Sequence, residues 1–373
     1  MRTFRTLDTG VPLRVVQVGA GGMGKAWIRT LQANDDVDLV GLVDLDLDTA
    51  RAAVEEFGLD GVELGTSVAE VARATGATAV VNVTVPAAHH PVNVEALFAG
   101  LPVLCEKPVA PTVAEGLQLA AAAEVSGELL MISQSRRYVR GLTRLKALAG
   151  ELGDVGVVTT EFFKAPHFGG FREEMAHVLL VDMAIHPFDA VRFLLDQDPV
   201  SVYCEEFNPS WSWYRGNAAA TAVFTMSGGT RHVYTGSWCA GGLETSWNGA
   251  GRGDGAGGSA VWDGEGGPVA ELLASAATAE PATPEGEIAG ALVDFVAALR
   301  TGETPSGEVH SNVLSLAMVE AAVRSASTGR RVLIDDVVED AYRGAVGTGR
   351  RAGVGAVLES WGAAGPHVGG PGS

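Results

Sequence analysis

Gly19-Ala20-Gly21-Gly22-Met23-Gly24 sets three glycines at the spacing G-x-G-x-x-G, after a short β-branched run (13–18) and before a helical stretch (24–33). No other feature of the chain limits its fold so tightly. The first glycine permits a tight turn, the second lets a pyrophosphate approach the backbone, and the third lets helix pack on strand. The helix then offers free N–H groups and the positive end of its dipole to phosphate oxygens. A second apolar run (37–43) is closed by Asp44, twenty residues beyond Gly24, where a ribose-binding carboxylate belongs. Such a carboxylate accepts hydrogen bonds from a ribose diol and repels a 2′-phosphate, which favours NAD over NADP. Arg51 is the one nearby cation that argues the other way, and its simpler reading is a solvated helix side chain. The competing reading of the whole segment is a plain βαβ turn followed by a surface aspartate.

The same rhythm continues through the first third. Strands at 78–85, 102–105 and 129–133 alternate with helices at 49–57, 68–75, 91–99 and 112–126. That alternation predicts right-handed βαβ units and a parallel sheet covered on both faces, an α/β fold whose Rossmann domain spans 13–135. Beyond residue 135 the strands lengthen, at 155–164, 200–208, 218–226 and 230–238, in an antiparallel style, with one helix at 179–195 between them. The stretch 241–267 is dense in glycine and holds Trp247 and Trp262, which predicts hairpin loops around short strands such as 260–262. Helices are expected at 285–299 and 311–327, which closes a second α/β domain over 136–340. Residues 341–373, rich in Gly and Ala without clear periodicity, are expected to form a flexible tail.

Composition removes several function classes. Of 373 residues, 47% are hydrophobic and 19% charged, enough to bury a sizeable core and too apolar for global disorder. The formal net charge of −19 repels phosphate backbones and anionic lipid, so neither nucleic acid nor a membrane surface is an expected partner. Three scattered cysteines, Cys105, Cys204 and Cys239, are too few for a disulfide framework and read as reduced thiols. No signal-peptide pattern and no long apolar run is visible, and the expectation is a soluble cytoplasmic protein.

Two segments leave strands where ligands of open α/β sheets bind. Thr84-Val85-Pro86-Ala87-Ala88-His89 follows the third strand, and Cys105-Glu106-Lys107-Pro108 the next. A lysine at that edge, held by a following proline, points into the crevice or is simply exposed. In the second domain, Asp182-x-x-x-His186-x-x-Asp189 puts three polar side chains on one face of an otherwise apolar helix. Buried groups of this kind need partners, and pairing with one another is one solution. Pro187 predicts a kink that turns His186 outward. With no further ligand cluster nearby, no metal is expected.

Together these segments resemble the glucose–fructose oxidoreductase, inositol dehydrogenase and rhizopine-catabolism (Gfo/Idh/MocA) family. The likeness rests on GAGGMG at Gly19, TVPAAH ending at His89, CEKP at Cys105, DMAIHPFD at Asp182 and SASTGRRV at Ser325, and covers roughly residues 13–335. It implies a Rossmann domain followed by an α/β domain with a large, mostly antiparallel open sheet that supports homodimers or homotetramers. It also implies NAD as cofactor and Lys107, Asp182 and His186 as the catalytic group. The expected cofactor contacts are Gly19, Gly21, Gly22, Met23, Gly24, Asp44, Thr84, His89, Glu106 and Lys107. Arg137, Tyr138, Lys164, His167 and Arg172 are candidate substrate contacts. The family usually has small glycine-rich residues ahead of the aspartate; here His177-Val178-Leu179-Leu180 stands instead.

The reaction so implied is hydride transfer between a nicotinamide and a secondary hydroxyl of a sugar, inositol or related polyol. His186 suits the base, since an ordinary imidazole titrates near neutrality. Lys107 would stabilise developing alkoxide charge, and Asp182 would orient His186 or hold a substrate hydroxyl. Two other readings keep the same residues: a redox-neutral, NAD-dependent glycoside-cleaving enzyme, and a non-catalytic dinucleotide and sugar sensor.

Overall fold

The computed structural model describes residues 4–7, 10–274, 286–348 and 353–369. It divides into two compact units. The first comprises Met1–Gln134, Ile288–Val313 and Ala341–Pro371, and the second Ser135–Glu287, Leu314–Asp340 and Gly372–Ser373.

The first unit begins with β1 (Leu13–Val18), α1 (Gly22–Gln32), β2 (Val37–Val43), α2 (Leu47–Phe57), β3 (Glu63–Gly65) and α3 (Val68–Thr75). It continues with β4 (Ala79–Asn82), α4 (Pro86–Phe98), β5 (Val103–Glu106), α5 (Val113–Ser126) and β6 (Leu130–Ser133). The strands form one parallel sheet in the order β3-β2-β1-β4-β5-β6. Being covered on both faces, β4, β5 and β6 are buried at every residue, as their unbroken apolar runs require. Helix ends obey local chemistry. The Thr112 hydroxyl oxygen caps α5 by accepting the Glu115 N–H, and α2 stops at Gly58, whose φ of 60° suits glycine.

Local polar chemistry moves two boundaries from their expected places. Asn82 Oδ1 accepts both the N–H and the hydroxyl of Thr84, which ends β4 at Asn82. Pro86, not Pro91, then opens α4, because a first-turn proline lacks only an N–H that has no helical partner.

The second unit holds α6 (Arg140–Glu151), β7 (Val155–Phe163), a π-helical turn (Leu179–Met183) and α7 (Ile185–Leu195). Then come β8 (Pro199–Phe207), β9 (Ala219–Met226), β10 (Arg231–Ser237), β11 (Ala250–Gly255), β12 (Gly258–Trp262) and β13 (Val269–Leu272). With β14 below, these strands form an eight-stranded sheet in the order β13-β12-β11-β7-β10-β9-β8-β14. Only β7 and β10 pair in parallel. Along β9, Ala220, Ala222, Phe224 and Met226 are buried while Thr221 faces out, and Phe188 of α7 packs edge-on against Phe224 at 4.7 Å.

The remaining elements are α8 (Ile288–Thr301), α9 (Val309–Thr328), β14 (Val332–Leu333), α10 (Ile334–Thr348) and α11 (Val354–Trp361). The helix expected from 285 starts here at Ile288, and Glu285 itself lies outside the described residues. The flexible tail expected over 341–373 is corrected for residues 341–348 and 353–369, the remainder lying outside the described residues. Tyr342 and Ala345 of α10 and Val354, Leu358 and Trp361 of α11 are buried. The Tyr342 hydroxyl donates to Leu358 O at 2.6 Å, and Trp361 Nε1 to Glu124 of α5 at 3.2 Å. Burying each large apolar side chain contributes roughly 1.5–3 kcal/mol, enough to order a short helix that propensity alone would not.

His232 of β10 is wholly buried, stacked on Phe224, with Nε2 3.2 Å from Thr160 Oγ1. Burial pushes its pKa down to about 3. Above the unfolded value of about 6.5 neither state binds the proton, and the neutral ring costs no stability. As pH falls from there toward 3, only the unfolded chain takes the proton up. Stability is then lost at up to about 1.4 kcal/mol per pH unit. Urea unfolding at pH 7, 5.5 and 4.5 should show this decline, and a shallower one in His232→Asn. Parallel declines in the two proteins would assign the acid lability to other groups.

Candidate active site

In the first unit, β1, β4 and β5 are neighbours, and their carboxyl ends carry Gly19, Thr84 and Lys107 to one edge. Strand order reverses between β1 and β4, the place where open α/β sheets leave a crevice. Gly19 has a φ of 101°, and a Cβ there would lie 2.6 Å from Val83 O; at Gly24 it would lie 2.3 Å from Gly19 O. These two glycines are demanded by the fold. At Gly21 and Gly22 an added Cβ meets nothing within 4 Å, so the space over that backbone is open.

The loop is held from within. Gln17 Nε2 donates to Gly19 O at 2.8 Å and to Gly24 O at 2.9 Å, and Asp44 Oδ2 accepts the Ala20 N–H at 2.8 Å. Asp44 Oδ1 accepts the Asp46 N–H at 3.0 Å, so this half-buried carboxylate shapes the loop it borders. Side chains of Asp46, Ser67 and Thr112 cap α2, α3 and α5, whereas α1 and α4 have no side-chain cap. The two uncapped helices follow the strands that flank the reversal. A pyrophosphate fits there: open backbone, available N–H groups and a positive helix end. Met23 at the start of α1 is exposed, and Arg51 is turned to Asp48 at 2.6 Å on the outer surface of α2.

His89 and Glu106, expected among the cofactor contacts, are buried and engaged inside the protein. The His89 ring lies between Pro108 O at 2.6 Å and Thr84 O at 3.0 Å, which ties together the loops after β4 and β5. Burial lowers its pKa and keeps it neutral at pH 7. Glu106 accepts from Trp27 Nε1 at 2.8 Å and from the Lys107 N–H at 3.2 Å, and burial raises its pKa. Both therefore set the position of Lys107, which is half-buried at the end of β5.

In the second unit the π-helical turn corrects the expected single helix at 179–195. The irregularity falls over Leu179–Met183, ahead of Pro187, which sits in the first turn of α7 where its missing N–H costs little. Both carboxylates of the constellation are engaged by arginines. Asp182 Oδ2 accepts from Arg172 Nε at 3.0 Å. Asp189 is buried and takes Arg137 Nε and Nη2, both at 2.7 Å, plus the Ser315 hydroxyl at 2.6 Å. His186 is half-buried near the N-terminus of α7.

The candidate substrate contacts separate sharply. Arg137 and Tyr138, expected as substrate contacts, are buried at 7% and 4% exposure, and Arg137 is paired with Asp189. Lys164 pairs with Glu244 at 2.5 Å and lies over the Trp247 ring, while His167 stacks on Trp213 at 3.8 Å. The arginine that sequence reasoning passed over is its neighbour, Arg136. It donates to Trp247 O, pairs with no carboxylate among the described residues, and burial pushes its pKa down to about 9. Nothing in its sequence context separates it from Arg137. His177 Nδ1 makes a hydrogen-bond contact with Glu206 of β8, one available to imidazole and not to the small residues usual at that place. A mainly apolar cavity under α6 and α7 is lined by Leu142, Val158, Val191 and Trp262, with Arg136 and Asn248 among its polar members.

A parallel sheet with a glycine loop at its reversal, followed by a large mixed sheet, defines the class of two-domain NAD-binding oxidoreductases. Residues 13–134 match the oxidoreductase family model with an NAD-binding Rossmann fold, and residues 144–252 match the GFO/IDH/MocA C-terminal domain. The chain belongs to the Gfo/Idh/MocA oxidoreductase family. It is 30% identical over 234 residues to protein y4oX of Sinorhizobium fredii, covering 60% of this chain and 65% of that one. It is 33% identical over 200 residues to an inositol 2-dehydrogenase of Gluconacetobacter diazotrophicus, covering 52% and 56%. The matched stretch thus spans little more than half of the latter relative. Its fold is that of an oxidoreductase from Agrobacterium radiobacter solved with NAD+, L-tartaric acid and magnesium, with a TM-score of 0.76, 19% identity and coverage of 87% and 99%.

Proposed function

We propose that the protein is an NAD-dependent dehydrogenase acting on a secondary hydroxyl, or the matching ketone, of a sugar, inositol or related polyol. The observation that carries this reading is the open backbone at Gly21 and Gly22 under the uncapped start of α1, in a chain with the family's Lys107, Asp182 and His186. Gly19 to Gly24, Asp44 and Thr84 would hold the dinucleotide, whose nicotinamide accepts or returns the hydride. His186 takes the hydroxyl proton, Lys107 hydrogen-bonds the reacting oxygen, and Asp182, steadied by Arg172, holds His186 or a neighbouring hydroxyl. The outward face of the eight-stranded sheet, with Val157 and Val261 exposed, is where we place a second copy in a homodimer or homotetramer. Three free, buried cysteines accord with work in the cytoplasm, and no described helix is long and apolar enough to cross a membrane.

Purified protein screened against a panel of sugars and polyols, read at 340 nm, should reduce NAD in preference to NADP with at least one polyhydroxylated ring. Asp44→Ser should narrow the gap between cofactors by removing the charge that repels a 2′-phosphate. A panel with no turnover would overturn the dehydrogenase reading, and a preference for NADP would overturn the role given to Asp44.

A further inference from the structure

The loops around Asp182 carry an aromatic cluster for which the proposed reaction has no use. Phe168 lies 6.1 Å from Trp238 and 6.4 Å from Trp247, and the two indoles meet edge to face at 5.8 Å. The Arg172 guanidinium sits 5.2 Å from the Phe168 ring centre and 4.9 Å from that of Phe171, while its Nε donates to Asp182. Lys164 lies 5.0 Å over Trp247 and is held by Glu244. These rings therefore adjoin Asp182 directly through Arg172.

Three of the rings are far from covered: Phe168 is 53%, Phe171 55% and Trp247 48% exposed. Trp238 behind them is 1% exposed, and its Nε1–H has no acceptor among the described residues. The two cations over the exposed rings, Arg172 and Lys164, each face a carboxylate, and Arg136 meets Trp247 at its backbone carbonyl, so the rings themselves do not call for an anion. What fits is a neutral ring with an apolar face for the aromatic rings and hydroxyl oxygens for the Arg172 guanidinium.

We propose that this cluster is a second-ring subsite, which takes a pyranose joined by a glycosidic bond to the unit that reacts beside Asp182. The inference rests on the reading that Asp182 belongs to the reacting site, and it makes disaccharides better ligands than single sugars. A purely aromatic substituent would stack on Phe168 and Trp247 but offer the Arg172 guanidinium no hydroxyl oxygen.

Tryptophan fluorescence titrations of the full chain saturated with NAD test this without turnover. The probes are glucose, maltose, cellobiose, gentiobiose and p-nitrophenyl glucoside. At least one disaccharide should bind about tenfold or more tighter than glucose, the scale of one good aromatic contact. Phe168→Ala and Trp247→Ala should each bring that ratio close to one, with the thermal melt confirming a folded protein. Equal affinity for glucose and every disaccharide would overturn the subsite. So would a ratio unchanged in both variants, or a gain with p-nitrophenyl glucoside as large as with the disaccharides. Because binding is read apart from NADH formation, tight disaccharide binding without turnover would sink the dehydrogenase reading and leave the subsite standing.

Discussion

Lys107→Ala and His186→Ala should each lower kcat by about 10²-fold or more, the usual scale for an oxyanion donor or a general base. Both groups are proposed to act as charge moves: the hydroxyl proton leaves toward His186 while the oxygen gains negative character beside Lys107. Interactions that strengthen only in the transition state appear in kcat rather than in ground-state affinity. NAD affinity should therefore change little in His186→Ala, because the glycine loop and Asp44 lie in the first unit. In Lys107→Ala a modest loss of NAD affinity is expected, since this lysine stands on the edge that carries Gly19 and Thr84. The wild-type oxidation rate should climb with pH, and the profile should flatten in His186→Ala. A His186→Ala enzyme with near wild-type rate and an unchanged profile would assign the base to another residue.

The largest stability effect is expected from Arg137→Ala. Its guanidinium is buried in a two-point pair with Asp189, whose carboxylate also takes the Ser315 hydroxyl. Ser315 in turn accepts from Arg192 at 2.8 Å, and Arg192 pairs with Asp198 at 2.6 Å. Two guanidiniums and two carboxylates thus balance within one network. Removing Arg137 leaves the Asp189 carboxylate buried and uncompensated, which costs about 3–5 kcal/mol. Denaturant unfolding should show that loss in Arg137→Ala and a similar one in Asp189→Ala. The paired replacement Arg137→Met with Asp189→Leu should recover much of it, because neither buried charge then lacks its partner. A substrate contact would behave otherwise, with a raised KM and stability unchanged.

The first unit was legible because parallel strands and glycine turns write themselves locally: β-branched runs, Gly19 with its positive φ, Gly24 with no room for a Cβ. The second was legible in outline, since alternation along strands such as β9 marks the covered face. What the chain concealed depends on contacts between distant residues. Arg136 and Arg137 are adjacent and chemically alike, and only the position of Asp189 in space assigns one to the core. The π-helical turn at Leu179–Met183 displaces Asp182 from the register that spacings of four and three assume. In the last segment, a reading begun at residue 341 cuts a helical stripe in two: Ile334, Val337, Val338, Tyr342 and Ala345 are its buried members, and glycines blur the rest. Whether Lys107, Asp182 and His186 act together is a matter for the kinetics above.

The winding of the chain has a further consequence for how the protein is made. Each unit draws on stretches well separated in the chain, so neither is a contiguous product of synthesis. The nucleotide-binding sheet leaves the ribosome early. The helices α8 and α11, which belong to the same unit, emerge only after nearly the whole second sheet. Glu124 of α5 waits for both His310, 3.0 Å away, and Trp361. Domains usually fold as units in the order they are translated. Here the nascent first unit must hold an unfinished surface through most of translation. A single cut in the gene releases neither half intact, and a nonsense mutation near the end strips helices from the cofactor-binding unit rather than from a dispensable tail.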